Sequence, residues 1–190
     1  MDKNYLYLDY AANTLTYLKE QGYEIDVLNI TSDGKVDIEQ LKSLIREDTI
    51  LVSICYVDSE VGIIQPIKEI ANILKDYPNC FLHVDCTQAI GKIKTDLENV
   101  DLISFAPHKF YGLNGFGGLI KRKDIVLEPL INGGASTTLY RSGTPVVGQI
   151  CALEKALEIT FKEFEQRKQY VRKLNKKLRE NLSKYKNVKI

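Results

Sequence analysis

No apolar run in the chain approaches the roughly eighteen residues that a membrane-spanning helix needs, so no span is expected. The opening Met-Asp-Lys-Asn-Tyr lacks the basic and apolar blocks of a secretory leader. Cys55, Cys80, Cys86 and Cys151 show no paired spacing, which points to free thiols in a cytoplasmic protein rather than a disulfide framework. An excess of one charge is missing too. A formal net charge of +1 over 190 residues argues against a general polyanion binder and against direct nucleic-acid contact. The glycines at 112, 115, 117 and 118 form neither common nucleotide loop, because no Lys-Ser/Thr pair and no correctly spaced strand-turn-helix follows. A metal centre is not expected either. Cys80 and His83 would point to opposite faces of a strand, and Cys86 brings no fourth ligand with it.

What remains is ordinary globular material, 44% apolar and 27% charged, long enough for one solid core. Leu6–Tyr10 reads as a short strand, 15–21 as a helix remnant closed by Gly22, and Glu24–Asn29 as a strand. Asp37–Arg46 reads as a helix capped by Asp37, and Thr49–Ile54 as a strand buried on both faces. Pro66 opens a helix that presents Ile67, Ile70, Ala71 and Leu74 on one side and ends before Pro78. Strands are expected at Phe81–Val84, Val100–Phe105 and Phe116–Lys121. This alternation predicts an α/β fold with a mostly parallel sheet and flanking helices. The stretch 128–148 is rich in Gly, Ser and Thr, and one or two helices follow Pro145. Their apolar stripe reads as packing on the domain, and the basic run from Lys162 to Arg179 as a solvated helix face.

Ligands of parallel sheets bind beyond the carboxyl ends of strands, and two reactive residues fall there. Asp85 ends the run Phe81-Leu-His-Val84, with Gln88 three residues on. Lys109 follows the run that begins at Asp101, beside His108 and ahead of a glycine-rich return. A lysine at the edge of a dry pocket can act as a Schiff-base nucleophile. An acid, a lysine and an amide donor together suit a pyridine-ring aldehyde cofactor. The residues alone leave alternatives open. Asp85 also suits a helix N-cap, Lys109 an exposed loop, Gln88 a solvated surface, and His108 a stacking, phosphate-binding or turn-capping role.

Several motifs, taken in order, resemble the cysteine desulfurases of the class V aminotransferase group. They are Tyr7-Leu-Asp-Tyr-Ala-Ala12, Ile54-Cys-Tyr-Val-Asp-Ser-Glu-Val-Gly62 with Gln65-Pro66, and His83-Val-Asp-Cys-Thr-Gln-Ala-Ile-Gly91. Ser104-Phe-Ala-Pro-His-Lys-Phe-Tyr-Gly112 and Arg141-Ser-Gly-Thr144 complete the series. The resemblance implies pyridoxal 5'-phosphate as cofactor and a partial large domain of the fold type I transferases. It implies that Lys109 carries the Schiff base, Asp85 holds the pyridine nitrogen, Gln88 the ring hydroxyl, and His108 the phosphate. Thr144 would reach the phosphate of a neighbouring protomer, which implies a homodimer. Free cysteine would be the substrate and alanine a product, with the persulfide passed to a sulfur-acceptor or scaffold protein for iron–sulfur clusters or tRNA thiolation.

Departures from the family pattern accompany the match. The chain resembles an internally shortened and C-terminally truncated member, with a signature remnant over 1–14, a cofactor-binding α/β domain over 15–148 and interdomain helices over 149–190. Ala106 stands where the family has a phosphate-binding serine, and Asp58-Ser59 replaces an Asn-Asn pair. None of the four cysteines matches the loop nucleophile, and the arginine that clamps the substrate carboxylate has no counterpart. The expectation is therefore a desulfurase-like protein impaired in sulfur transfer. The alternative is a non-catalytic remnant serving as a dimerisation or binding module.

Overall fold

The computed structural model describes residues 17–129, 131–134 and 139–187. The expected strand Leu6–Tyr10 and residues 135–138 lie outside them. The chain divides into two compact units that interleave along the sequence. One comprises Met1–Gln88, Asp96–Ser104 and Leu119–Arg122, and the other Ala89–Thr95, Phe105–Gly118 and Lys123–Ile190.

The first unit is built on a sheet whose strands run in the order β1 (Leu51–Cys55), β2 (Phe81–Asp85), β3 (Leu102–Phe105), β4 (Gly118–Lys121). β1 pairs with β2 and β2 with β3, both in parallel, which gives the mostly parallel α/β architecture anticipated from the alternation of elements. Helix α1 (Ile38–Leu44) begins where Asp37 accepts a hydrogen bond from the Gln40 N–H at 3.0 Å. Helix α2 (Ile67–Leu74) starts immediately after Pro66 and lies against β2. Its Ile67, Ile70, Ala71 and Leu74 are buried, as are Val52 and Ile54 of β1 and Leu82 and Val84 of β2. Each of the larger of these side chains contributes about 1.5–3 kcal/mol by leaving water.

Two expectations need correction. β1 is not buried on both faces: Leu51 remains 45% exposed, and Phe81 beside it on β2 40%. The run 49–54 looks continuous because Val52 and Ile54 fill the core, while Leu51 and Ser53 face the other way. Residues 24–29 form no strand, since among the described residues no strand lies alongside to offer them a ladder. Only an antiparallel bridge, Ile30 with Val36, forms nearby. That loop is held by the buried Gln65 amide, whose Oε1 accepts from the Val36 N–H at 2.9 Å while Nε2 donates to the Gly34 carbonyl at 3.0 Å.

In the second unit, α3 (Val147–Lys162) and α4 (Phe164–Leu182) meet at Glu163, so the chain after Pro145 forms two helices. α3 buries Ala156 and Thr160, whereas α4 buries none of its residues. The apolar stripe Val171, Leu174, Leu178 is exposed, which corrects the expectation that it packs on the domain. Within the helix, Arg167 pairs with Glu163 through Nη2 at 2.6 Å and Nε at 2.9 Å.

Replacing Gln65 by Leu strands the Val36 N–H and the Gly34 carbonyl together. We expect Gln65→Leu to cost about 2–3 kcal/mol in chemical denaturation. An unchanged midpoint would show that the amide does not hold the loop.

Candidate functional site

In the first unit the candidate residues sit at the carboxyl end of β2. Asp85 is its last residue, in register with Cys55 on β1 and Ser104 on β3. The Asp85 carbonyl accepts from the Tyr56 N–H at 2.9 Å, and the next amide, Cys86 N–H, donates to the Ser104 carbonyl at 2.8 Å. The backbone of this one residue is therefore bracketed by both neighbouring strands. Its half-buried carboxylate accepts from the Thr87 N–H at 2.8 Å, closing a turn instead of capping a helix. Gln88 follows in that turn, also half-buried.

Side chains alternate along strands, so Ser53 and Cys55 of β1, His83 and Asp85 of β2 and Ser104 of β3 share one face. His83 lies across them, with Nδ1 2.8 Å from the Ser53 hydroxyl and Nε2 3.0 Å from the Ser104 hydroxyl. Burial pushes the imidazole below its ordinary pKa, against the opposing pull of the Asp85 carboxylate. Of the nearby thiols, Cys86 is fully buried on the core side, and burial pushes it up to about 12, with the Asp85 carboxylate adding to the effect. Burial also raises Cys80. Neither supplies a thiolate at neutral pH.

Asp101 holds the other end of β2. Its Oδ2 accepts from the Leu82 N–H at 2.8 Å, and its Oδ1 pairs with Arg122 at 3.2 Å.

In the second unit, Lys109 and His108 stand in the 3₁₀ turn Pro107–Phe110 that follows β3. Such a turn repeats every three residues, so Pro107 and Phe110 point the same way. Both are buried, and the two residues between them are turned outward and exposed. Phe110 packs its ring 6.1 Å from that of Phe105. The Phe110 carbonyl accepts from the buried Thr160 hydroxyl at 3.3 Å, which ties the turn to α3. After Phe110 the chain reverses through Tyr111 at φ +70°, and Arg167 stacks 4.4 Å from the Tyr111 ring centroid. Gly112 closes the turn by donating its N–H to the Pro107 carbonyl at 2.9 Å. A side chain at Gly112 would meet the Pro107 Cβ at 2.7 Å.

The residue before the turn, Ala106, occupies the cap position and offers no side-chain hydrogen bond. Thr144 is exposed in the irregular segment ahead of α3. Lys92 is a residue that the sequence reading missed. Its pKa is lowered by burial and by the charge of Lys109, which places a second amine in the electrostatic neighbourhood of the first. Nothing in the pattern of residues 89–95 signals this, because the proximity comes from folding the loop toward the turn.

The candidate residues thus form two groups, Asp85 and Gln88 in the first unit and His108, Lys109 and Thr144 in the second. Their chemistry fits a phosphorylated pyridine aldehyde: a carboxylate for a ring N–H, an amide for a ring hydroxyl, an outward amine, and imidazole and hydroxyl donors for phosphate.

Residues 5–190 match the aminotransferase class-V family profile. A NifS/IcsS protein homolog from Lactobacillus delbrueckii subsp. bulgaricus is 40% identical, over 92% of this chain and 45% of its own length. The cysteine desulfurase IscS of Methanosarcina thermophila is also 40% identical, over 90% of this chain and 43% of that protein. Among solved structures, a NifS-like protein superposes with a TM-score of 0.87 at 37% identity, covering 93% of this chain and 50% of that one. The chain spans less than half the length of these two curated relatives.

Two predictions follow from this geometry. Gly91 sits at φ +74°, and a Cβ there would lie 2.2 Å from the Thr160 methyl, beneath the turn that carries Lys109. Gly91→Ala is expected to cost roughly 1–3 kcal/mol in thermal or chemical unfolding, and an unchanged stability would contradict this packing. The second concerns alkaline pH. An unfolded thiol ionises near 9.0, whereas folded Cys86 holds its proton up to about 12. Between these values the unfolded chain binds fewer protons, so stability that is complete below pH 9.0 falls toward pH 12. Cys86→Ala should flatten that alkaline decline, and a decline as steep as in the unsubstituted chain would show that another group causes it.

Proposed function

Because the chain belongs to the aminotransferase class-V family, we propose that it binds pyridoxal 5'-phosphate and carries the cofactor-binding part of a cysteine desulfurase-like enzyme. The family match over residues 5–190 is the observation that carries this reading, and Lys109 is the amine its motif points to. Its turn is anchored by buried Pro107 and Phe110, yet its own side chain is outward and exposed. Exposure by itself suits an ordinary loop lysine equally well, so the role of the amine rests on the family match.

The bound cofactor supplies an aldehyde for covalent attachment and a cationic ring that draws electrons from the substrate carbon. Lys109 Nζ provides the amine for that attachment and a base for moving the substrate α-proton. Asp85 holds the proton on the ring nitrogen through its carboxylate, and Gln88 donates to the ring hydroxyl. His108 donates to phosphate. Thr144 does the same for a second copy of the chain, so the working form is a homodimer. L-cysteine is the substrate; a thiolate supplied by an acceptor protein would attack its sulfur and become the persulfide, while the electrons of the broken C–S bond and a proton stay with the carbon skeleton, which leaves as alanine.

Sulfur transfer by these residues alone is impaired in this reading. Cys80 and Cys86 keep their protons at neutral pH, so neither attacks the sulfur. Ala106 withholds a hydroxyl from the phosphate, a loss of about 1.5–3 kcal/mol for a bond to a charged group. These two observations favour a second reading, a non-catalytic remnant serving as a dimerisation or binding module.

Titration with pyridoxal phosphate, followed by borohydride trapping and peptide mapping, tests the cofactor reading. We expect saturable binding with the label on Lys109, and none in folded Lys109→Ala. Label scattered over other lysines, Lys92 included, or absent from a folded chain, would overturn it. A labelled chain that releases no alanine from cysteine would support the second reading.

A further inference from the structure

His83 has no role in the chemistry just described, yet its side chain touches both neighbours of the strand bearing Asp85. Its two ring nitrogens contact Ser53 on β1 at 2.8 Å and Ser104 on β3 at 3.0 Å. A hydroxyl both donates and accepts, so a neutral imidazole is satisfied here in either tautomer, with one serine donating and the other accepting. The contacts are not redundant with the backbone ladder. Ser53 is level with His83, whereas Ser104 is level with Asp85, so the link to β3 runs diagonally toward the end of the strand.

Around Asp85 the constraints converge on Ser104. Its carbonyl accepts from the Cys86 N–H at 2.8 Å, just beyond Asp85, and its hydroxyl contacts His83 just before it. On the other side the Tyr56 N–H holds the Asp85 carbonyl at 2.9 Å. The carboxylate accepts from the Thr87 N–H at 2.8 Å, a bond within its own turn, so its direction is inherited from the backbone that these contacts fix. The opposite face of β2 offers only apolar packing, with Leu82 and Val84 fully buried. Apolar contacts resist separation of the layers but specify strand alignment less sharply than directed hydrogen bonds.

We propose that His83 is a positioning residue, locking β1, β2 and β3 at the level of Asp85 so that the carboxylate keeps one direction toward its ligand. The ligand's identity rests on the cofactor reading above; the orientation of Asp85 does not. His83 touches no reacting atom in this proposal. It acts through Ser104 and the strand end.

The test uses the full chain and two readouts. In the cofactor-free protein, amide hydrogen exchange reports the Thr87, Cys86 and Tyr56 N–H groups directly. His83→Phe should raise exchange at these amides by about tenfold over any global change, since two directed bonds are lost. Ser104→Ala, which keeps the imidazole and one of its bonds, should give the same local pattern at smaller size and guards against a His83→Phe chain that fails to fold. Uniform loss of protection throughout the first unit, or no change at Thr87, would overturn the proposal.

The second readout is pyridoxal-phosphate affinity in a double-mutant cycle with Asp85→Asn. His83→Phe should weaken binding severalfold in the unsubstituted background and have little further effect once Asp85 is replaced. Equal weakening in both backgrounds would mean that His83 acts on the site without acting through Asp85. If the unsubstituted chain binds no pyridoxal phosphate, the cofactor reading fails, and the exchange pattern alone decides the role of His83.

Discussion

The parallel ladder joining β1, β2 and β3 fixes where the chemistry at the end of β2 can be. Parallel strands bring their carboxyl ends to one edge, and the residue that leaves that edge from β2 is Asp85. It does so with its carbonyl bonded to Tyr56 and its following amide bonded to Ser104. One face of the same strands is apolar and covered by α2, which sets the register, because a slip by one residue would turn Leu82 and Val84 out of the core. The other face is then free to carry Ser53, Cys55, His83, Asp85 and Ser104. Burial of one side thus permits a polar constellation on the other.

A different constraint serves Lys109. Its base is a single 3₁₀ turn, a structure too short to be stable alone, and its stability comes from what its ends bury. Pro107 and Phe110 face inward at the three-residue repeat, Phe110 packs near Phe105, and Thr160 bonds the Phe110 carbonyl. The glycine at 91 leaves room for Thr160, and that at 112 lets the chain fold back on Pro107. Each of these contacts lies away from the amine, and together they leave it exposed with a defined origin.

Much of this was legible in the residues. Asp37 announces the start of α1, the apolar side of 67–74 announces α2, and the apolar runs before Asp85 and Lys109 announce the strands that end at or before them. The family motifs gave the same two residues roles and led to the family that the profile match shows. What escaped depended on partners distant in sequence. Residues 24–29 look like a strand but, among the described residues, have no strand to pair with. The run 49–54 looks doubly buried although only one face is covered. His83 reads only as a disfavoured metal ligand beside Cys80 and Cys86, because Ser53 and Ser104 lie thirty and twenty-one positions away along the chain. Lys92 gave no local signal of its neighbour Lys109. Pattern reveals faces and ends; it does not reveal which strand comes alongside.

The central proposal is that Asp85 is the ring-nitrogen partner of a pyridoxal-phosphate cofactor. Nitrogen NMR of pyridoxal phosphate labelled at its ring nitrogen, bound to the unsubstituted chain and to Asp85→Asn, tests it most directly. The account predicts a protonated ring nitrogen in the unsubstituted chain and a shift toward the unprotonated value in the variant, with the cofactor still attached at Lys109. The same ring-nitrogen shift in both proteins would contradict it and separate Asp85 from the cofactor.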